Sequence, residues 1–521
     1  MDVQEEYLSK EERDVAVALE GKQALRKTLT AGQWYFVNML GQKIFVFGTF
    51  FITARLLTPA DFGIIAIAGI YPAFIDALTA LSFESVLVQK KAGEEKHYLN
   101  VVWTFSVLRA FTIFSIVFFS APFITHYFHA EGYLLLFRLS GLLFLIQGLG
   151  NIGNIYFFRN LDFKKVFFRD LALQSTSSVL SIMGAIYLHS YWALFIGNTA
   201  GVFAAALSTY VLHPYRPSFD FNFTKLKPLF GYTRWIFGQD LLNQSAKTLE
   251  DTLVGRFATP TNIGIFSKAK GLSHVVTSPL SSIIGKISFS TFSQIQDSHQ
   301  HVREGIYKTI DLLAGVALPF LVAIIIAGHR LILVLLGPQW VDMYQILILL
   351  TIIATLDTVI ISLGRPIFNA LGKPQFTFTT NAVYLGILIA FLPILVPLNG
   401  TFGAATALLM ASIASSIITL ILINKLVHLK WSRIIETIAV ISLGIALPIP
   451  LCYYLLQFPF AYQTIGFLLL GVLIGICYFS VLIFIGKKYD KGPYRTYLVI
   501  ANSFLRTNFL TNVHKYFHKI N

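Results

Sequence analysis

The feature that most constrains this chain is a succession of apolar segments about 20 residues long, which recur along most of the sequence. A helix that crosses the hydrocarbon core of a bilayer needs about 20 such residues. Strands of a membrane barrel would instead be segments of about 10 residues with strict alternation. Only 13% of the residues are charged, which is too few to cover the surface of a water-soluble protein of this size. The sequence therefore predicts an all-α polytopic membrane protein.

The apolar segments divide into fourteen predicted spans, which differ in polarity. Eleven are strongly apolar and cover residues 62–87, 99–124, 134–157, 171–188, 192–212, 310–327, 343–363, 376–396, 402–423, 434–456 and 465–485. Three others are long enough to cross the bilayer but contain several polar side chains, namely residues 32–53, 235–257 and 263–289. The first 27 residues are charged and contain no apolar core, so they predict a cytoplasmic segment and not a secretory signal.

Lysine and arginine are distributed unequally among the predicted loops, which predicts the orientation of the chain. With a cytoplasmic N-terminus, the inside loops and the two tails contain 30 of the 40 Lys and Arg residues, whereas the outside loops contain Arg55, Arg256 and Arg330. Cytoplasmic loops of membrane proteins carry such an excess of positive charge. We therefore expect both termini in the cytoplasm. The net charge of +14 then reflects topology and requires no nucleic-acid partner.

A ten-residue turn recurs 201 positions along the chain, because RLLTPADFGI at 55–64 and RFATPTNIGI at 256–265 share the pattern R-x-x-T-P-x-x-x-G-I. Six predicted spans separate the copies, so both face the same side, as in parallel repeats about an axis along the membrane normal. Chance recurrence of a common T-P turn is the alternative. The duplication predicts a cytoplasmic lead-in (1–31), an N-terminal six-helix lobe (32–212), a cytoplasmic linker (213–234), a C-terminal six-helix lobe (235–424), two additional helices (425–485) and a basic cytoplasmic tail (486–521).

Charged residues within the predicted spans are candidate binding groups, because a charge at the centre of a membrane helix costs about 2.5–3.5 kcal/mol on insertion scales. They concentrate in the first, second, seventh and eighth spans, which the repeat relates in pairs. We expect these helices to line a hydrophilic cavity. Its candidate substrate-binding residues, with the arginines of the repeated turn, are Lys43, Lys247, Lys268, Lys270, Lys286, Arg55, Arg256, Asp240, Asp251, Gln42 and Asn243.

Helical periodicity supports part of this set and leaves alternatives for the rest. Residues 240, 247 and 251 share one helical face, as do residues 268 and 286, which are five whole turns apart. Lys247 could instead pair with Asp251 or Glu250 one turn away. Residues 268, 270 and 286 could extend to the membrane surface.

We expect the remaining charged residues within the predicted spans either to couple transport to an ion or to form structural ion pairs. Candidate ion-coupling residues are Asp76, Glu84, Asp311 and Asp357. Packing against a basic partner is the alternative for Asp311 and Asp357. Two arginines at positions 109 and 138 lie alone in apolar spans. We expect each to pair with a neighbouring helix, and contact with the substrate is the alternative.

Several other signals argue against common functional classes. The pattern G-x-G-x-x-G at residues 148–153 lies inside an apolar span and follows no strand, so close helix packing is preferred over dinucleotide binding. The sequence contains neither a Walker A nor an HExxH pattern, so we expect no ATPase or zinc-protease centre. Cys452 and Cys477 both lie in apolar segments, which excludes a disulfide framework and a cysteine-based metal site. We expect no cofactor and no metal.

Three short motifs carry a resemblance to known transporters. These are ARLLTPADFG at 54–63, VGRF at 254–257 followed by IGIFSKA at 263–269, and LGPQW at 336–340. With its six, six and two spans, the chain resembles the multidrug/oligosaccharidyl-lipid/polysaccharide exporter superfamily. Within it, the chain is similar to the Wzx-type polysaccharide flippases of the colanic acid and teichuronic acid exporter branch. Phe266 stands where this branch usually has Tyr.

The resemblance implies a V-shaped, two-lobed transporter that is not an enzyme. Its substrate would be an oligosaccharide repeat unit on undecaprenyl pyrophosphate, moved by alternating access from the inner to the outer leaflet of the bacterial inner membrane. Implied partners are this lipid-linked oligosaccharide, membrane lipids, a polysaccharide polymerase and glycosyltransferases. The alternatives are a cation-coupled drug exporter of the same superfamily, which should favour acids in its cavity, and a lipid II flippase. A membrane-bound glycosyltransferase or polymerase is disfavoured because the predicted outside loops are short.

Overall fold

The structure is a computed structural model, which describes residues 10–79, 83, 87, 96–227, 244–296, 298–446, 450 and 464–488. These residues form helices joined by turns and short 3-10 segments, with no strand among them. The prediction of an all-α protein is therefore confirmed. Nine stretches of the described residues are long and apolar enough to cross a bilayer, and a further apolar helix at Gly471–Phe484 is shorter. Since the predicted spans at 235–257 and 434–456 lie partly outside the described residues, the total of fourteen stays a prediction.

The helices of the N-terminal part follow the apolar segments closely. They are α1 (Lys10–Leu56), α2 (Pro59–Thr79), α3 (Lys96–Tyr127), α4 (Leu134–Ser140), α5 (Leu142–Gly148), α6 (Ile155–Arg159), α7 (Phe163–Leu188) and α8 (Trp192–Leu212). The predicted span at 134–157 is wrong in one respect, because it is divided into α4, α5 and α6. Helix α7 begins eight residues before its predicted span, where Asp162 caps it by accepting a hydrogen bond from the backbone N–H of Lys165.

The C-terminal part begins with a helix over residues 244–257, which we name α9. It continues with α10 (Pro260–Ser273), α11 (Thr277–Gln294), α12 (His299–Leu335), α13 (Met343–Leu356), α14 (Ser362–Ala370), α15 (Pro374–Val427), α16 (Trp431–Ala446) and α17 (Thr464–Lys488). A π-helical turn, Asp357–Ile361, joins α13 to α14. The eighth predicted span is interrupted at residues 274–276, between α10 and α11.

Two predicted spans lie within the long helical segment α15. Asn399 and Gly400 interrupt the helix there, and Gly400 has a φ of 56°, which favours glycine. The Ser415 hydroxyl donates to the carbonyl of Thr380 at 3.3 Å, so the chain reverses at this turn. Residues 374–427 therefore form a helical hairpin, in agreement with separate spans at 376–396 and 402–423.

The chain divides into two compact units, Met1–Leu56 with Ala68–Gln244 and Leu57–Ile67 with Ser245–Asn521. In the first unit, α1 and α8 both pack on α7, and α3 packs on α4 and α5. In the second unit, α10 packs on α13, α11 on α14, and α15 on both α13 and α14. The short segment 57–67 belongs to the second unit, although residues 68–244 separate it in sequence from the rest of that unit. The contacts of this segment are described with the candidate site.

Candidate functional site

The two copies of the repeated turn begin helices α2 and α10 in the same way. The backbone N–H of Asp61 donates to the Thr58 hydroxyl at 3.4 Å, and the Asp61 carboxylate accepts from the Thr58 N–H at 2.9 Å. In the second copy, the Thr259 hydroxyl accepts from the N–H of Asn262 at 3.3 Å. A proline follows each threonine, at the first helical position, where its missing N–H is not needed. The repeated T-P pair is therefore a helix start.

The repeated glycine has a different role, because it permits the two copies to touch. A Cβ atom on Gly63 would overlap the carbonyl oxygen of Pro260, and one on Gly264 would overlap the carbonyl oxygen of Pro59. The first turns of α2 and α10 therefore cross at backbone distance, in a nearly symmetrical contact. Within R-x-x-T-P-x-x-x-G-I, the structure thus explains the threonine, the proline and the glycine.

The third motif of the resemblance packs against the same crossing. The ring of Trp340, which is fully buried, contacts Phe62 edge to face at 5.3 Å between centroids. Lys268 also contacts this ring, with its Nζ 4.8 Å from the Phe62 centroid. The Gln339 side chain donates to the carbonyl of Leu57 at 3.1 Å. The three sequence segments that carry the resemblance therefore form one packed junction within the second unit.

A separate cluster of ionisable side chains lies in the second unit, and we call it the Lys270 cluster. Lys270 on α10 donates to the Glu250 carboxylate on α9 at 2.6 Å, and only 5% of the Glu250 side chain is exposed. Asp251 and Asp357 also lie within electrostatic range of the Lys270 ammonium group. The cluster thus brings at least three carboxyl groups around one lysine. Two of them, Glu250 and Asp251, are neighbours on α9.

Asp357 joins the Lys270 cluster from the π-helical turn that it begins. Its carboxylate accepts from the hydroxyl of Ser412 on α15 at 2.7 Å. In the same turn, Thr358 accepts from the hydroxyl of Ser281 on α11 at 3.2 Å. Single-turn π-helical segments inside α-helices frequently occur at functional sites. The irregular turn therefore places a carboxylate and a hydroxyl pair where α11, α13 and α15 meet.

The predicted site residues of the second unit separate into two groups. Asp251, Lys270 and Asp357 come together in the Lys270 cluster, whereas Lys268 lies at the junction with Phe62. Lys247 lies on the exposed part of α9, within electrostatic range of Asp251. The common face predicted for residues 268 and 286 assumed a continuous helix, and the turn at 274–276 interrupts it. Three further predicted site residues lie outside the described residues, namely Asp240, Asn243 and the side chain of Lys286.

Asp311 belongs to a separate contact in the second unit. It is fully buried, and its two carboxylate oxygens accept from Arg433 at 2.7 Å and from the Thr437 hydroxyl at 2.5 Å. This contact joins α12 to α16. A basic partner was the structural alternative for Asp311, and Arg433 is such a partner.

The polar residues of α1 in the first unit converge on one carboxylate. Gln42 and Asn38 donate to the same oxygen of Asp170 at 2.9 and 2.8 Å. Arg169 donates to the other oxygen at 2.7 and 2.9 Å. Lys43, the neighbour of Gln42, lies with its Nζ 6.0 Å from the centroid of the Phe47 ring.

Asp76 and Arg109 form a second polar contact in the first unit. Arg109 on α3 donates to the Asp76 carboxylate, to the Asp76 carbonyl at 3.0 Å and to the Thr79 hydroxyl at 3.0 Å. The predicted pairing of Arg109 with a neighbouring helix is therefore present in the structure. Glu84, the other acid predicted in this region, lies outside the described residues.

Sequence reasoning missed Asp170, and the reason is the length of α7. The predicted span starts at residue 171, but capping by Asp162 starts the helix at Phe163 and carries Asp170 two turns inside it. The candidate N-cap aspartate at Asp162 was the signal that could have extended the helix. Sequence reasoning also treated Glu250 as a partner for Lys247 on its own helix, whereas Glu250 pairs across helices with Lys270.

The comparisons with known proteins agree with this architecture. A model of the family described as polysaccharide biosynthesis protein matches residues 52–345, which is more than half of the chain. The chain belongs to this polysaccharide biosynthesis protein family. The matched residues include both copies of the repeated turn and the LGPQW motif, so the sequence resemblance is confirmed.

Relatives of this family member are named for polysaccharide pathways. The teichuronic acid biosynthesis protein TuaB of Bacillus subtilis is 19% identical over 371 residues, which cover 70% of this chain and 75% of that protein. The succinoglycan biosynthesis transport protein ExoT of Rhizobium meliloti is 21% identical, with coverage of 63% and 66%. Among solved structures, the lipid II flippase MurJ in an inward closed conformation matches with a TM-score of 0.66 at 16% identity, over 87% of this chain and 98% of that one. This last likeness shows the fold, that of a multi-pass helical membrane protein.

Proposed function

We propose that this protein moves undecaprenyl-pyrophosphate-linked oligosaccharide units from the inner to the outer leaflet of the bacterial inner membrane, for polysaccharide export. Membership of the polysaccharide biosynthesis family supports the substrate class. The transport protein among its relatives and the fold that it shares with a lipid flippase support the activity. In this proposal the protein is not an enzyme, and it acts with a polysaccharide polymerase and with glycosyltransferases.

The observation that carries the proposal is the Lys270 cluster, because it places ionisable groups, one of them the buried Glu250, within predicted membrane spans. Such groups are costly in a membrane and normally serve a substrate or ion pathway. Glu250 and Lys270 lie on neighbouring helices, and Asp357 lies on an irregular turn beside them. This arrangement supports a polar pathway through the second unit.

The charge of the substrate accounts for the lysines. A pyrophosphate group is an anion, so it needs basic side chains in a water-accessible cavity. In our proposal, lysines of the predicted first, seventh and eighth spans bind it during alternating access. These are Lys43, Lys247, Lys268, Lys270 and Lys286, together with Arg55 and Arg256 of the repeated turns. Outward movement of negative charge is favoured by an inside-negative potential by about 2.3 kcal/mol per charge per 100 mV.

Asp357 is the acid that we propose for ion coupling. Its carboxylate accepts a hydrogen bond from Ser412 and has no arginine partner among the contacts described for it. Asp76 and Asp311, by contrast, each form an ion pair with an arginine. A proton or a sodium ion at Asp357 would change the charge beside Lys270, which links coupling to the groups that we propose for the substrate.

The test measures surface polysaccharide in a strain that lacks the chromosomal copy of this gene and expresses variants of it. We expect Lys43→Ala, Lys247→Ala and Lys268→Ala each to lower export severalfold at equal protein level in the membrane. Lys373→Ala is the matched control, because Lys373 is an exposed lysine next to α15. Undiminished export in all three variants would show that the lysines do not bind the substrate.

A cation-coupled exporter of small molecules is the second candidate, and the carboxyl groups of the Lys270 cluster favour it. Such a protein would extrude a lipophilic dye such as ethidium from energised cells, and Asp357→Asn would abolish the extrusion. A polysaccharide flippase would leave dye extrusion at the level of cells without the protein. A lipid II flippase, the third alternative, would support growth of cells depleted of their own lipid II flippase.

A further inference from the structure

The predicted span at 134–157 contains a break that is built from specific contacts. Helix α5 ends at Gly148, a 3-10 turn covers Ile152–Asn154, and α6 begins at Ile155. The sequence interpretation of the G-x-G-x-x-G pattern as part of a continuous helix is therefore wrong. Backbone that is not helical occurs at membrane depth only where it is buried in protein or lines a polar cavity. Interrupted helices of this kind form the binding sites of many transporters.

Neighbouring side chains satisfy the backbone groups that the break releases. The carbonyl of Gly150 accepts from the Trp103 indole N–H at 3.1 Å, and the carbonyl of Leu149 accepts from the Tyr210 hydroxyl at 2.7 Å. Asn151, which is fully buried, donates its backbone N–H to the Thr209 hydroxyl at 2.9 Å. Partners from α3 and α8 thus hold the break in one conformation.

A polar cavity of about 170 Å³ adjoins the break within the first unit. Its polar lining side chains include Asp76, Trp103, Ser106, Arg109, Gln147 and Asn154. At about 30 Å³ per molecule, this volume accommodates about five or six waters. It is also comparable with the space that one six-membered sugar ring occupies.

The charges of the cavity wall neutralise one another. Arg109 is held by the carboxylate and carbonyl of Asp76 and by the hydroxyl of Thr79. An anionic ligand would have to displace the Asp76 carboxylate from Arg109, and a cationic ligand would have to displace Arg109 from Asp76. The wall therefore favours a neutral ligand that both donates and accepts hydrogen bonds.

One hydrogen-bond acceptor in the cavity wall indicates that the ligand carries a hydrogen-bond donor. The Oδ1 atom of Asn154 is buried and has no hydrogen-bond partner among the described residues. A buried acceptor without a donor costs about 1–3 kcal/mol. A hydroxyl group in the cavity would supply the missing donor. Asn154 lies in the last position of the 3-10 turn, so the break is what brings this acceptor to the cavity.

We propose that this cavity binds a single neutral, hydroxyl-rich ring, a sugar residue. The preference for a sugar rests on the proposed function, in which the ring is one residue of the lipid-linked oligosaccharide. The existence of a neutral hydroxyl site rests only on the break, the cavity and the unpaired acceptor. Binding here would make the first unit contribute to the choice of glycan, while the lysines bind the pyrophosphate.

The test uses the purified full-length protein in nanodiscs, with Cys452 and Cys477 replaced by serine and a reporter cysteine introduced as Ser106→Cys. The rate of alkylation by a small water-soluble maleimide is measured with and without D-glucose, D-galactose, N-acetylglucosamine or D-glucuronate. At a sugar concentration of about twice Kd, only about a third of the sites are free, so labelling slows about threefold. We expect this for at least one neutral sugar and not for glucuronate.

Two variants separate the proposal from a nonspecific effect of sugar. Asn154→Leu removes the acceptor and should abolish protection, whereas Asn154→Asp keeps an acceptor oxygen and should retain part of it. Ser218→Cys, an exposed position in the same unit, should label at one rate with or without sugar. Equal labelling of Ser106→Cys with every sugar, in protein that remains monodisperse, would mean that the cavity holds only water and would overturn the proposal.

The outcome is independent of the export assay. Sugar protection together with full export by the lysine variants would retain the sugar site and reject the lysines as pyrophosphate ligands. Absence of protection together with lysine-dependent export would reject the sugar site and leave the proposed transport in place.

Discussion

At the residue scale, the glycines of the repeated turn impose the closest steric constraint, since Gly63 and Gly264 each face a proline carbonyl of the other copy. A methyl group at either position must force the first turns of α2 and α10 apart. Overpacking of this kind costs about 1–3 kcal/mol. We therefore expect Gly63→Ala to lower the thermal unfolding temperature of the purified protein, as followed by tryptophan fluorescence in detergent.

The control for this substitution lies on the same helix. Gly69 is exposed, and a Cβ atom there meets nothing within 4 Å. Alanine is favoured over glycine inside a helix by about 0.5–1 kcal/mol. Gly69→Ala should leave the unfolding temperature unchanged or raise it. The crossing would be contradicted by equal unfolding temperatures for Gly63→Ala and Gly69→Ala.

The Lys270 cluster yields a second prediction at this scale. Lys270→Met would leave the Glu250 carboxylate buried without its partner, and loss of one member of a buried pair costs about 3–5 kcal/mol. We expect a large drop in unfolding temperature for Lys270→Met and recovery of most of it in the double variant Lys270→Met/Glu250→Gln, which removes the stranded charge. Lys247→Met, on the exposed part of α9, serves as the comparison. A double variant as unstable as the single one would contradict the pairing.

At the element scale, the contact between Asp311 and Arg433 attaches α16 to α12. Because Asp311 is fully buried, Arg433→Met would remove the charged group that balances its carboxylate and would leave the hydrogen bond from the Thr437 hydroxyl. We expect faster hydrogen exchange over Trp431–Ala446, with little change over Met343–Leu356. The control is Arg303→Met, since Arg303 is half-buried and its side chain donates to a backbone carbonyl, that of His428 at 3.3 Å, and not to a buried carboxylate. Equal exchange over α16 in both variants would show that the ion pair does not hold this helix.

The segment that follows α8 gives a prediction of pH dependence. His213 stacks on Tyr156 at 5.1 Å, and its Nδ1 accepts from the N–H of Tyr215 at 3.1 Å. Burial, followed by the charges of Lys165 and Arg216, lowers the pKa of His213 below its ordinary value of 6.5. Between the lowered pKa of the folded protein and the ordinary pKa of the unfolded chain, the unfolded chain binds more protons than the folded protein. The stability that the neutral His213 side chain contributes is therefore lost progressively as the pH falls below 6.5.

Replacement of the histidine tests this dependence. Thermal unfolding of the native protein should become easier on the acidic side of pH 6.5, and the variant His213→Gln should show a smaller change over the same interval. His189→Gln is the control, because His189 is an exposed histidine at the end of α7. The same pH dependence in the native protein and in His213→Gln would exclude His213 as the titrating group.

Helix bounds could be predicted from the sequence where an apolar segment has unambiguous ends. They could not be predicted where a capping residue or a break determines the end of the helix. Span 192–212 agrees with α8 to the residue, because Trp192 begins the apolar segment and His213 follows it. Helix α7 was too short in the prediction, since its start depends on the cap at Asp162. The break at Leu149–Asn154 was missed because glycines in an apolar context also indicate close helix packing.

At the scale of the whole molecule, the repeat was visible in the sequence, but its physical meaning was not. The pattern R-x-x-T-P-x-x-x-G-I indicates duplication, whereas the crossing at Gly63 and Gly264 requires knowledge that the two copies meet. Contacts between distant helices, such as Lys270 with Glu250, Asp311 with Arg433 and Gln42 with Asp170, are set by tertiary packing. Periodicity along one helix therefore found the charged residues but not their partners.

The orientation of the whole chain is the remaining prediction. It follows from the tenfold excess of Lys and Arg in the predicted inside segments, which contain 30 of these residues against three outside. The turn near Gly132 should face the periplasm and the turn near Asn160 the cytoplasm. Gly132 tolerates a side chain, since a Cβ atom there meets nothing within 4 Å, and Asn160 is exposed. In a background with Cys452 and Cys477 replaced by serine, a membrane-impermeant maleimide should label Gly132→Cys in spheroplasts. It should label Asn160→Cys only after the inner membrane is permeabilised. The opposite labelling pattern would show that the chain has the inverse orientation in the membrane. The side of the fold from which the substrate is proposed to enter would then be the side on which it leaves.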